Sequence, residues 1–134
     1  MPVKRAWEVQ GSKVDPPYER GLKVIFSPDA DEVGDLTLLI STVYPRGGKT
    51  ALHTHEASGE LMYFMTGRGY AIFEGETFPV EPDVAFYAPP GREHQVVNTG
   101  DETMKIICVF TPALPPEYIR QARDAAAKQA EKGA

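Results

Sequence analysis

The 134-residue chain has the length of one domain and can bury a core without disulfides. It is 42% hydrophobic and 25% charged, with a net charge of −5 and no basic run, which argues against nucleic acid or an anionic membrane surface as a partner. The single cysteine, Cys108, excludes an internal disulfide, and no stretch has the length of a membrane span, so we expect a cytoplasmic protein.

The predicted elements are short strands. Residues 1–35 are irregular and turn-rich, with a short strand around 22–26. The β-branched, apolar run at 36–44 predicts a strand covered on both faces. Glycines and prolines separate the later strands, which is typical of an all-β sandwich or barrel. These later elements are a strand at 60–65, a hairpin at 70–80, strands beginning at 84 and 94, and a strand at 104–110.

The end of the chain follows a different pattern. Pro116 and Glu117 stand where a helix can begin, many alanines follow, and Gly133 lies near the end. The sequence therefore predicts a short C-terminal surface helix over about 116–131. No internal repeat or long linker divides the chain, so we expect one domain over 1–134.

The histidines carry the strongest functional signal. His53 and His55 are two residues apart, so on a strand both rings would point to the same side. Glu60 follows five residues later, and His94 lies downstream, after a Pro-Gly turn. Neutral imidazoles and a carboxylate suit first-row transition ions better than Ca²⁺ or Mg²⁺. The pattern favours a metal site.

The spacing of these residues resembles the two signature motifs of the cupin superfamily, in its small single-domain form. The matching positions are Gly47, His53, His55, Glu60 and Gly67 in the first motif, and Pro89, Gly91, His94 and Asn98 in the second.

This resemblance implies a cupin double-stranded β-helix, that is, a jelly-roll barrel, with its core at about 36–111. It also implies one divalent metal (Fe, Mn, Ni, Cu or Zn) bound by His53, His55, Glu60 and His94. Asn98 is expected to stabilise a turn. One position departs from the motif, because Asp83 stands where glycine is usual. We expect an altered turn there and an intact metal site.

Strand alternation predicts the wall of a substrate pocket. If Glu60 points inward, Met62 and Phe64 do so too, and Ile106 and Phe110 face the same interior from the last strand. Arg92 is a candidate for the pocket mouth, with a solvated surface charge as the alternative. The sequence does not identify a catalytic acid or base.

Four protein ligands on a six-coordinate ion would leave two positions for a small-molecule substrate. Three functions compete. The first is an oxygenase (dioxygenase) or decarboxylase acting on a small carboxylate-, keto- or phenol-bearing compound, which the apolar wall favours. The second is a sugar or sugar-phosphate isomerase, epimerase or lyase, and the third is a non-catalytic, metal-dependent small-molecule binder.

The sequence also predicts a homodimer. The strands at 36–44 and 61–65 are apolar on both faces, whereas a barrel interior buries only one face. The other face needs cover from the N-terminal segment or from a second subunit, and the cupin resemblance favours the second subunit.

Overall fold

The computed structural model describes residues 3–52 and 54–133. Within them, a short 3-10 turn at Ala6–Glu8 precedes nine strands and one helix. The strands are β1 (Ser12–Val14), β2 (Arg20–Phe26), β3 (Thr37–Val43), β4 (Gly59–Phe64), β5 (Gly69–Phe73), β6 (Glu76–Val80), β7 (Ala85–Ala88), β8 (His94–Asn98) and β9 (Met104–Thr111), and the helix is α1 (Pro116–Gly133).

The strands form two antiparallel sheets. The larger has six strands in the order β1-β2-β3-β9-β4-β7, and the smaller has three in the order β6-β5-β8. The prediction of an all-β fold with one C-terminal helix is confirmed. The sequence reasoning missed β1, whose three residues are too few to show a periodic pattern.

Alternation along β3 and β9 separates the interior from the outer face. Residues 37, 39, 41 and 43 of β3 are buried, whereas 38, 40 and 42 are only partly buried. Leu39 is opposite Cys108 and Ser41 is opposite Ile106 in the register of the two strands. Directly opposite residues share a face of the sheet, so these four side chains line the same interior.

The helix packs against the edge of the larger sheet. Ile119 and Ala126 are buried in that contact, and the Gln129 side chain exchanges hydrogen bonds with the backbone of Lys13 in β1. Arg123 donates to Asp29 and Ser27 in the loop after β2. The predicted helix bounds of 116–131 are close to the observed bounds, Pro116–Gly133. None of the helices in residues 3–52 and 54–133 is long and apolar enough to cross a membrane.

Asp83 stands in a tight turn between β6 and β7. Its φ of 72° lies in the left-handed region, which asparagine and aspartate tolerate better than most side chains. The Val84 N–H donates to the Glu81 carbonyl across the turn at 3.1 Å, and the Tyr63 hydroxyl donates to the Asp83 carboxylate at 2.7 Å. The positive φ explains why glycine suits this position, and the tyrosine contact shows how this chain holds aspartate there.

Candidate metal centre

Three of the four predicted ligands converge inside the barrel: His55, Glu60 and His94, here called the His–Glu cluster. Their donor atoms all lie within 4.8 Å of one another. The Glu60 Oε1 atom lies 2.9 Å from His94 Nε2 and 3.4 Å from His55 Nε2. His53, the fourth predicted ligand, lies outside the described residues.

Local structure orients each donor. Glu60 is the second residue of β4 and points inward, because its neighbours Gly59 and Leu61 occupy the opposite face. His94 opens β8, and its Nδ1 lies 3.0 Å from the Arg92 carbonyl. A proton on Nδ1 would donate to that carbonyl, and in the metal-free protein a second proton on Nε2 would donate to Glu60. The His55 ring packs edge-on against Phe110, with 4.9 Å between centroids.

The cluster is electrostatically coupled. Burial on its own would raise the pKa of Glu60, but hydrogen bonds from His55 and His94 and their charges lower it from 4.5 to about 2. Burial acts to lower the pKa of His94, yet the hydrogen bond to Glu60, with smaller help from the Arg92 carbonyl, raises it above 6.5. The carboxylate therefore stays ionised and attracts a positive charge.

These shifts predict how the stability of the metal-free protein depends on pH. A depressed Glu60 pKa contributes stability above about pH 5, which is lost as pH falls toward 2. A raised His94 pKa contributes stability below 6.5, which is lost once pH exceeds that raised value. Urea unfolding with a chelator should show the cluster's contribution at its largest between about pH 5 and 6.5.

The matched control for this prediction is Glu60→Gln, which keeps the shape and removes the charge. Subtracting its unfolding free energy from that of the wild type cancels the titration of other groups, such as Asp29 and Asp31. A difference that stays constant from pH 3 to pH 9 would show that the cluster is not coupled as described.

The cluster lies at one side of a cavity of about 310 Å³. Aliphatic and aromatic side chains make most of the exposed wall, and the polar side chains outside the cluster are those of Arg20, Ser41, Thr50, Thr54 and Tyr118. The lining residues outside the cluster are Arg20, Leu22, Leu39, Ser41, Thr50, Ala51, Thr54, Met62, Val96, Ile106, Cys108, Phe110 and Tyr118.

The structure separates the predicted pocket residues into two groups. Met62, Ile106 and Phe110 line the cavity. Phe64 does not, because it is fully buried in the core at the far end of β4. Arg92 also lies away from the lining, since its guanidinium forms an ion pair with Glu74 outside the cavity. This position agrees with the alternative interpretation of Arg92, a solvated charge on the surface.

Sequence reasoning missed Arg20 and Tyr118. Arg20 lies in a stretch that resembles a turn, whereas it is the first residue of β2 and shares the inward face with Leu22. A longer strand prediction with alternation would have found it. Tyr118 enters the cavity from the C-terminal helix, which no local pattern could place.

Cys108 also lines the cavity, in its inner wall. It is 3% exposed, and burial raises the pKa of its thiol well above 9.0. A protonated, buried thiol is a poor nucleophile, so Cys108 is an inert part of the wall.

The donor set fits a first-row transition metal. Ligands bound to one ion at about 2.1 Å and at right angles to each other are separated by about 3 Å. The two distances from Glu60 Oε1, 2.9 and 3.4 Å, are close to that separation. The ionised carboxylate and the two imidazoles are the donor types that such ions accept. The cluster could therefore hold a metal ion without rearrangement of the strands.

Comparison with known proteins places this site in a family. An uncharacterised protein of Methanocaldococcus jannaschii is 36% identical over 74 residues, which are 55% of this chain and 59% of that protein. A glucose-6-phosphate isomerase of Thermococcus gammatolerans is 30% identical over 136 residues, covering 87% of this chain and 72% of the isomerase. This chain thus spans less than two thirds of the length of the Methanocaldococcus protein and more than two thirds of the length of the isomerase.

A solved structure also shows the fold of this chain. The crystal structure of a predicted oxalate decarboxylase from Thermotoga maritima superposes with a TM-score of 0.72 at 21% identity, covering 81% of this chain and 96% of that one. The family profile of the cupin domain matches residues 40–110, which include His55, Glu60 and His94. The jelly-roll prediction is thereby confirmed, and the chain belongs to the cupin family.

Proposed function

We propose that the protein is a metal-dependent enzyme that acts on a small carboxylate-, keto- or phenol-bearing compound by oxygenase- or decarboxylase-type chemistry. The observation that supports this most is the position of the His–Glu cluster in the wall of a mostly apolar cavity. A structural metal site needs no such space beside it.

In this proposal His53, His55, Glu60 and His94 hold one divalent transition metal. When bound, such an ion supplies Lewis-acid polarisation of a carbonyl or carboxylate oxygen. The protein contributes orientation and exclusion of water. Phe110 supports the His55 ring, and Met62 and Ile106 keep the cavity apolar, which strengthens electrostatic effects inside it.

The decisive experiment combines metal analysis with turnover assays on untagged protein. We expect about one transition ion per chain, together with oxygen uptake or carbon dioxide release on a panel of keto acids, hydroxy acids and phenols. His94→Ala protein is the inactive control. Saturable binding of these compounds without any turnover would support the non-catalytic binder and contradict the enzyme.

A sugar-phosphate isomerase is the second candidate. Similarity to the Thermococcus isomerase over 87% of this chain favours it. Against it, Arg20 is the one Arg or Lys among the described residues that line the cavity, whereas the two negative charges of a phosphate are usually balanced by more than one cationic side chain. Interconversion of glucose 6-phosphate and fructose 6-phosphate without oxygen would establish this alternative and overturn the first.

We also propose that the protein is a homodimer that associates through the outer face of β4 and β7. Leu61 and Tyr87 are directly opposite each other there, with 45% and 54% of their surfaces exposed, and Tyr63 lies beside them. The N-terminal segment lies elsewhere, since Lys23 in β2 donates to the Ala6 carbonyl. An apolar sheet face of this kind is typical of a subunit interface.

Substitution of Leu61 by glutamate should therefore shift the protein from dimer to monomer, because it places a charge in the centre of an apolar contact. Sedimentation at micromolar concentration checks this against the monomer mass of 14.7 kDa. Phe78→Glu is the matched control, since Phe78 is 41% exposed on the other sheet. A wild type that sediments as a monomer would contradict the proposed interface.

A further inference from the structure

Arg20 is a partly buried cation that forms no ion pair within the described chain. It lines the cavity from the first position of β2, and its Nη1 donates to the Tyr18 carbonyl at 3.2 Å. No carboxylate in residues 3–52 and 54–133 forms an ion pair with it. Burial lowers the pKa of this guanidinium, while the negative charge of Glu60 across the cavity is among the influences that raise it. A charge that is partly withdrawn from water into a cavity gains from a partner of opposite charge.

Ser41 adds an independent observation beside Arg20. Its side chain is 5% exposed and lines the same cavity from β3, directly opposite Leu22 of β2. Within the described part of the chain, the Ser41 Oγ atom is the buried side-chain polar atom that lacks a hydrogen-bond partner. Such groups are rare in folded proteins, and a ligand oxygen in the cavity would satisfy this one.

Tyr118 brings a third donor to the same region. It reaches the cavity from the first turn of α1 and is partly buried. Burial raises the pKa of its phenol, so the hydroxyl is protonated at neutral pH and can donate a hydrogen bond. Arg20, Ser41 and Tyr118 are thus three donors that line the same cavity.

The sheet topology places these donors away from the His–Glu cluster. Strands β3 and β9 separate β2 from β4 in the larger sheet, so Arg20 and Glu60 belong to different sides of the same cavity. The wall between them is apolar and includes Leu39, Ile106 and Cys108. A ligand that fills the cavity would therefore meet polar groups at both of its ends.

We propose that Arg20, Ser41 and Tyr118 form an anion subsite that binds a carboxylate of the substrate, while another oxygen function of the same molecule faces the His–Glu cluster. This inference rests on the proposed function and narrows its substrate class to small acids with a carboxylate distant from the reacting oxygen. One guanidinium and two hydroxyls match a carboxylate, with its two acceptor oxygens, better than a phosphate dianion.

The test uses two ligands that differ only in the distant carboxylate. Protein loaded with Zn²⁺, which is not redox-active, is titrated calorimetrically with 2-oxoglutarate and with 2-oxopentanoate. We expect the wild type to bind the diacid about 10-fold more tightly or better, as charge-assisted hydrogen bonds imply. Arg20→Gln should abolish this preference without weakening the binding of the monoacid.

Three further variants keep the result interpretable. Arg20→Lys retains the charge and should keep part of the preference, which also covers the case that Arg20→Gln fails to fold. Ser41→Ala and Tyr118→Phe should each reduce the preference by a few fold. Metal content and thermal midpoint are measured for every variant, because the subsite should affect neither metal binding nor the monoacid.

The outcomes separate the subsite from the proposed function. Equal binding of both acids by the wild type, or a preference that survives in Arg20→Gln, overturns the subsite while the metal-anchored function stands. If Zn²⁺-loaded wild type binds neither acid, the subsite for keto acids is overturned, and the wider panel of hydroxy acids and phenols then decides the proposed function.

Discussion

Replacing His94 with alanine is expected to weaken transition-metal binding by about 100-fold or more, because even residues that only support a metal ligand contribute 10- to 100-fold. The same loss is expected for His55→Ala. The Nε2 atom of His94 and the Oε1 atom of Glu60 are 2.9 Å apart in a buried site, so the substitution removes a donor that is directed at the same point as the carboxylate. Competition with a chromophoric chelator measures the change.

A pair of glutamate substitutions gives the sharpest control. Glu60→Gln removes the buried carboxylate of the cluster and should weaken binding strongly. Glu56→Gln removes an exposed carboxylate one residue from His55 and should have no effect. Equal effects of these two substitutions would show that the metal responds to net charge in the loop rather than to the proposed ligands.

The fourth ligand is tested in the same way. The cupin resemblance assigns His53 to the metal, and His53→Ala should then weaken binding about as much as His94→Ala. Full occupancy in His53→Ala, with loss in the other variants, would reduce the protein ligands to the three that the structure brings together.

Much of the fold could be predicted because strand alternation is a local property. The alternation of β9 predicted the inward face that carries Ile106 and Phe110, and the spacing of His55, Glu60 and His94 predicted a cluster that the structure assembles. Each of these signals depends on a few neighbouring residues.

The other side of the cavity depends on long-range packing. Tyr118 enters it because α1 packs against β1 and β2, and this contact joins residues about a hundred positions apart in the chain. The Phe64 side chain points inward, as alternation predicts. However, it lies at the end of β4 that is remote from Glu60, where it fills the core. Alternation predicts which face of a strand a side chain occupies. Whether an inward side chain lines the cavity or fills the core depends on its position along the barrel axis.

Asn98, the last motif position, is expected to matter for stability rather than for the metal. It is fully buried, and its amide nitrogen donates to the carbonyls of Val43 and Glu102 at 3.0 and 2.9 Å. Its Oδ1 accepts from the Gly100 N–H at 2.9 Å. Asn98→Ala removes the partner of these three backbone groups and should lower the free energy of unfolding by about 3 to 5 kcal/mol, because an unsatisfied buried group costs about 1 to 3 kcal/mol and two of the three bonds are only partly buried.

Asn98→Asp distinguishes the hydrogen bonds from the volume of the side chain. An ionised aspartate keeps the shape but turns a negative oxygen toward the carbonyls of Val43 and Glu102, so it should destabilise the protein at pH 7 at least as much as alanine. Protonation restores one donor, and part of the loss should therefore be recovered near pH 4, relative to wild type at the same pH. Urea unfolding at both pH values measures this, with exposed Thr99→Ala as the control.

Reduced metal content in a folded Asn98→Ala protein would contradict a purely structural role, because the three bonds of Asn98 tie the end of β3 to the turn before β9 and involve none of the predicted ligands.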